Sequence, residues 1–92
     1  CCGNDEMAVR VYGILRTRGV RVPEQVSVAG YDNHSAIAET LFPPLTSTEL
    51  PYLRMGAMVA DLLFQHIEHP TGSVQSVKVV GETIWRQSVI NK

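Results

Sequence analysis

The stretch VSVAGYDNHS, residues 26–35, decides how this chain folds. An apolar β-run, Val26, Val28 and Ala29, ends at Gly30 and is followed after Tyr31 by an acid, Asp32. An aspartate in a turn often bonds its own backbone, so Asp32 alone indicates no more than an Asx turn. Its meaning depends on what else reaches the same edge of the sheet.

Upstream, Cys1 and Cys2 have the character of the last residues of a buried strand, and Gly3 makes a turn. Asn4 or Asp5 can then cap a helix over EMAVRVYGILRTR, residues 6–18, which Gly19 stops as a left-handed C′ residue. The spacing predicts a core stripe of Met7, Val11, Ile14 and Leu15 with Ala8, and sets Val9 and Tyr12 on another flank. Apolar residues on two flanks call for a cover on each, which makes Val9 and Tyr12 candidates for a partner surface. VRVPEQ, residues 20–25, connects to the β-run, and Pro23 keeps the helix from continuing.

Strand, helix, loop and strand in this order form a βαβ unit, whose strands run parallel with a right-handed crossover. Asn4 and Asp32 then both stand at carboxyl ends of parallel strands, the edge where open α/β sheets bind ligands. That placement favours ligand contact for Asp32 over a purely local turn role. For Asn4, helix capping and ligand contact remain equal alternatives, and the two can coexist.

Downstream, HSAIAETLFPP, residues 34–44, reads as a loop, and LTSTEL, residues 45–50, as an extended segment. Pro51 opens a second helix in which Met55, Met58, Val59, Leu62, Leu63 and Ile67 keep helical spacing up to about His69-Pro70. Thr71, Gly72 and Ser73 make a turn; SVKVV, residues 76–80, and TIWRQSVI, residues 83–90, read as two closing strands.

Composition bounds the function. The 92 residues are 45% hydrophobic, which indicates one small globular domain or a piece of a larger one. Eight Lys+Arg against nine Asp+Glu give a net charge of −1. Arg10, Arg16, Arg18 and Arg21 are a solvated helix face rather than a nucleic-acid stripe. The adjacent cysteines are poorly placed to bridge each other and fit reduced thiols in the cytoplasm. No apolar run reaches the ~18 residues of a membrane span. His66 and His69 lack further ligands for a zinc site, and Ser27, Ser35, His34 and Asp32 lack the elbow of a hydrolase triad. Gly3 and Gly30 are isolated and form no dinucleotide fingerprint, so neither a cofactor nor catalysis is expected.

Four blocks in order, CGNDEMA (2–8), GVRVPEQVSVAGYDN (19–33), PPLTSTELPYLRMG (43–56) and VVGETIWRQSV (79–89), resemble the C-terminal part of the effector-binding region of the lactose/galactose-repressor (LacI/GalR) family of transcription regulators. The resemblance implies an α/β fragment of a periplasmic-binding-protein-like fold, a parallel sheet with flanking helices. It places residues 1–48 in the C-terminal subdomain, 49–70 in a crossover and a helix covering the N-terminal subdomain, and 71–92 in strands returning to the C-terminal subdomain. A small polar effector, such as a sugar, a sugar acid or a nucleobase-like compound, would sit between the lobes. By the same comparison Asp32 and Asn4, and less securely Tyr52, face that effector, while Val9, Tyr12 and Leu41 fall where two copies form a homodimer. Operator DNA would be met only through a domain outside this chain. On this basis the chain is expected to be a cytoplasmic fragment whose second helix lacks its normal cover.

The chain departs from the family pattern twice. Asn33 stands where a second Asp is frequent, and Ser47-Thr48 where a Thr followed by Val or Ile is usual. Two rivals stay open at this point: an exported sugar-binding transport receptor of the same fold, and a sugar-modifying enzyme.

Overall fold

The computed structural model describes residues 1–72 and 76–90, which divide into two units, Cys1–Leu50 with Glu82–Lys92, and Pro51–Gly81. In the first unit, helix α1 spans Asp5–Thr17. Asn4 caps it, its Oδ1 accepting the Met7 N–H at 2.8 Å, and Asp5 and Glu6 add negative charge where the helix dipole is positive. At the other end Gly19, at φ 69°, makes a Schellman turn. Its N–H reaches Arg16 O at 3.1 Å and that of Val20 reaches Leu15 O at 2.9 Å.

The rotation of α1 about its axis differs from the expected stripe. Ala8 is wholly buried and Tyr12 is 5% exposed, whereas Met7 and Ile14 are exposed. Val11 and Leu15 keep a half-buried place against the core. The phase is set at the first turn, where the Asp5 carboxylate is buried against the sheet. Residues three and seven positions further on face inward with it, as helical periodicity requires. Tyr12 is thus a core residue whose hydroxyl donates to Pro43 O at 2.8 Å, and its ring has little surface left for a second copy. Burial pushes its phenol above the ordinary tyrosine range.

Strand β1, Ala29–Asp32, pairs in parallel with β2, Thr46–Glu49, in the register Ala29↔Thr46 to Asp32↔Glu49. β3, Thr83–Ile84, pairs antiparallel on the far side of β2. The sheet is therefore mixed, and its parallel pair is β1 with β2 rather than the expected pairing of a Cys1-Cys2 strand with the β-run, since residues 1 and 2 form no strand. The Cys2 N–H donates to Ala29 O at 2.7 Å, which ties the chain start to β1, although Cys1 is exposed and Cys2 only half-buried. The β-run extends through Gly30 rather than ending there, and Val26 lies outside it. A four-residue helix α2, Ser35–Ala38, forms inside the segment expected to be loop, because the His34 carbonyl accepts the Ala38 N–H at 2.7 Å.

Around Ala8, Tyr12, Val28, Ala38 and Leu45 a small core closes. Leu45, with no exposure, contributes roughly 2 kcal/mol by the area it removes from water. Ser88 joins three segments inside it. Its Oγ donates to Val28 O and accepts the Thr46 N–H, while its own N–H donates to Pro44 O.

The second unit is helix α3, Tyr52–Glu68, with the segment after it. Pro51 stands at its N-cap and its O accepts the Met55 N–H at 2.9 Å. No α3 residue is buried, and Leu63, Phe64 and Ile67 are more than half exposed. The expected strand over residues 76–80 is not formed; Val80 is 80% exposed and its carbonyl accepts a hydrogen bond from Arg54 Nη2 at 2.6 Å rather than from a ladder. The Gly72 N–H closes a turn on His69 O, while Ser73 of the predicted turn lies outside the described residues. Among the described residues no helix is long and apolar enough to cross a membrane.

Candidate functional site

The site is built at the carboxyl end of β1. Asp32 ends the strand at φ 114° and Asn33 follows at φ 50°, two consecutive L-residues in the left-handed half of backbone space. Each such residue costs on the order of 1–3 kcal/mol and persists only where its surroundings hold it. What holds them is a set of hydrogen bonds converging from α1, β2 and the C-terminal segment.

Asp5, 1% exposed, is the centre of that set. Its Oδ2 accepts the His34 N–H at 2.7 Å and its Oδ1 accepts the Ser47 hydroxyl at 2.7 Å. Ser47 Oγ in turn accepts the Asn33 N–H at 3.0 Å. Two successive main-chain N–H groups of the turn are therefore bound, one directly by the carboxylate and one through a buried hydroxyl. Room for the carboxylate comes from Gly30, the register partner of Ser47. A Cβ on Gly30 would overlap Asp5 Oδ1 and stand 2.9 Å from Leu45 Cδ2.

From the other side, Arg86 spans the turn and β2. Its Nη2 donates to Asn33 Oδ1 at 2.8 Å, its Nη1 to Leu45 O at 2.6 Å, and its main-chain N–H to Thr46 Oγ1 at 2.8 Å. A guanidinium has donors only, so Asn33 must turn its oxygen toward it. The second departure from the family pattern also has a use: a β-branched apolar residue at 48 would lose the contact of Thr48 Oγ1 with Thr83 Oγ1 at 3.1 Å.

Of the residues expected at a ligand site, Asp32 is half-buried at the strand end, and Asn4 spends its Oδ1 on the helix cap. The structure brings their neighbourhoods together through Asp5, the residue after Asn4. Tyr52 opens α3 in the second unit and is 63% exposed. Among the expected interface residues, Val9 is 42% exposed and Leu41 is half-buried against the core. Local pattern does not mark Asp5, Ser47 and Arg86 as site residues. The available signals were small residues, Gly30 and Ser47, in strands that ordinarily prefer larger ones. Among the described residues no three His, Cys, Asp or Glu side chains could share a metal ion.

The model of the periplasmic binding protein-like domain matches residues 1–89. The chain is 34% identical over 88 residues to the HTH-type transcriptional repressor PurR of Vibrio atlanticus, covering 96% of this chain and 26% of that one. A LacI family transcriptional regulator from Enterococcus faecalis, solved with bound ribose, superposes with a TM-score of 0.79 at 34% identity, covering 94% of this chain and 32% of that one. A transcriptional regulator CelR–cellobiose complex superposes equally well, TM-score 0.79 at 34% identity over 94% of this chain and 26% of the other. The chain thus spans about a quarter to a third of the proteins it matches.

Proposed function

Because this chain belongs to the periplasmic binding protein-like domain family, we propose that it forms part of the effector-binding and dimerisation region of a transcription regulator. The effector is a small polar metabolite, and a sugar is the best-supported class, since two of the similar regulators were solved with ribose and with cellobiose. Asp32 accepts effector hydroxyls from the end of β1, Asn4 and Tyr52 add contacts, and Val9 and Leu41 lie in the contact between two copies. Operator DNA is met through residues outside this chain, in the cytoplasm, and no chemistry is done on the effector. Ligand binding then shifts operator affinity because it favours one arrangement of the effector-binding region over another.

The observation that carries this proposal is the turn at Asp32 and Asn33, left-handed twice over and secured from three sides. Backbone strain kept in place by a dedicated hydrogen-bond set suits a group that must be presented in one geometry. Calorimetry of the full-length protein against pentoses, hexoses, disaccharides and nucleobases tests it. Asp32→Ala is expected to weaken the best ligand by ~10- to 100-fold, the worth of a hydrogen bond to a charged acceptor. Equal affinity in the variant removes Asp32 from the site. For the interface, sedimentation of full-length Val9→Glu is expected to show a shift toward monomer.

A further inference from the structure

We infer that Asp5 and Ser47 are positioning residues for effector binding: they act through the backbone of the Asp32–Asn33 turn and touch no ligand themselves. The inference rests on the proposal that Asp32 meets the effector. Three observations carry it. First, both acceptors presented to the turn are buried, Asp5 at 1% and Ser47 at 0% exposure, so neither can reach a ligand directly. Second, their bonds end on the N–H groups of Asn33 and His34, the two residues that follow Asp32, and so fix the peptide planes that aim its side chain. Third, Asp32 and Asn33 sit at φ 114° and 50°, backbone that residues other than glycine adopt uncommonly, two of them in succession still less so.

The physical consequence is pre-organisation. With the relay intact, the turn is already in the geometry the ligand requires. Without it, the turn populates extended backbone, and the ligand must supply the cost of restoring the binding geometry, which lowers apparent affinity by the fraction still competent. Ser47 is the more informative member, because it both donates to Asp5 and accepts from Asn33. Alanine at 47 therefore breaks two links at once, while the Asp5–His34 bond is left in place.

A double-mutant cycle on the full-length protein separates this role from simple core stability. The four members are wild type, Ser47→Ala, Asp32→Ala and the double variant, each titrated with ribose, or with the sugar that proves tightest, and each melted. Ser47→Ala is expected to weaken binding by ~10-fold in the wild-type background. In the Asp32→Ala background it should weaken binding by less than ~2-fold, since the group it positions is gone. Loss of affinity of the same size in both backgrounds, or no loss in the first, overturns the inference. If Asp32→Ala itself changes nothing, the proposed effector site fails, a result distinct from failure of the relay. Should Ser47→Ala not fold, Ser47→Cys takes its place in the cycle, keeping a weaker donor at the same position, with the same two outcomes read from it. Restoration of wild-type affinity by Ser47→Thr, which keeps the hydroxyl, adds a positive control.

Discussion

The Asp5 carboxylate accepts the main-chain N–H of His34 at 2.7 Å, twenty-nine residues further along the chain. One end of this contact belongs to the first turn of α1 and the other to the turn that leaves β1. The same acid therefore sets the roll of a helix and the shape of a strand end. Through Ser47 it reaches β2 as well, so the three elements around the candidate site share one buried charge.

Gly30→Ala tests the space this arrangement needs. The added methyl would overlap Asp5 Oδ1 and press on Leu45 Cδ2, both buried. Neither neighbour is the free end of an exposed side chain. Overpacking of this kind costs about 1–3 kcal/mol, and chemical denaturation of the full-length protein should show a loss in that range.

Ser88→Ala should be among the more damaging single-atom deletions. It removes the acceptor of the Thr46 N–H and the donor to Val28 O together, in a place with no exposure. Two unsatisfied backbone groups cost roughly 2–6 kcal/mol, a large share of the ~5–15 kcal/mol that holds a typical domain. A fall in the denaturation midpoint without a change in slope is the expected signature.

Tyr12→Phe separates packing from pH dependence. At neutral pH the variant loses the bond to Pro43 O and should be less stable by about 1 kcal/mol. Burial raises the phenol above its ordinary value of 10.0 in the folded chain, so the fold favours the neutral form. That contribution is complete below pH ~10 and is lost as pH climbs through the raised value, because the unfolded chain ionises first. Stability curves taken between pH 8 and about 11.5 should accordingly fall less steeply for Tyr12→Phe than for wild type. Parallel curves would place the alkaline sensitivity elsewhere.

Much of this was legible in the residues themselves. Asn4 and Gly19 marked the ends of α1 through local chemistry, a side-chain cap and a left-handed stop, and both act as the sequence predicts. The acid closing VSVAGYD marked the end of a strand, and four blocks in order pointed to the family whose model matches the chain. Local rules sufficed in these cases because each signal is spent within a few residues of where it is written.

The partners of buried polar groups were not legible, and neither was the face of α1 that turns inward. Asp5 read as no more than a second candidate for the helix cap beside Asn4. Only the folded chain brings Ser47 to it across forty-two residues, and that meeting buries Tyr12 and exposes Met7. Sequence by itself determined the two long helices, α1 and α3, and that Asp32 stands at the end of a strand. Tertiary structure alone decided how the turn bearing Asp32 is held, because a buried charge is satisfied by donors from elements distant in the chain, and no periodicity records where they will come from.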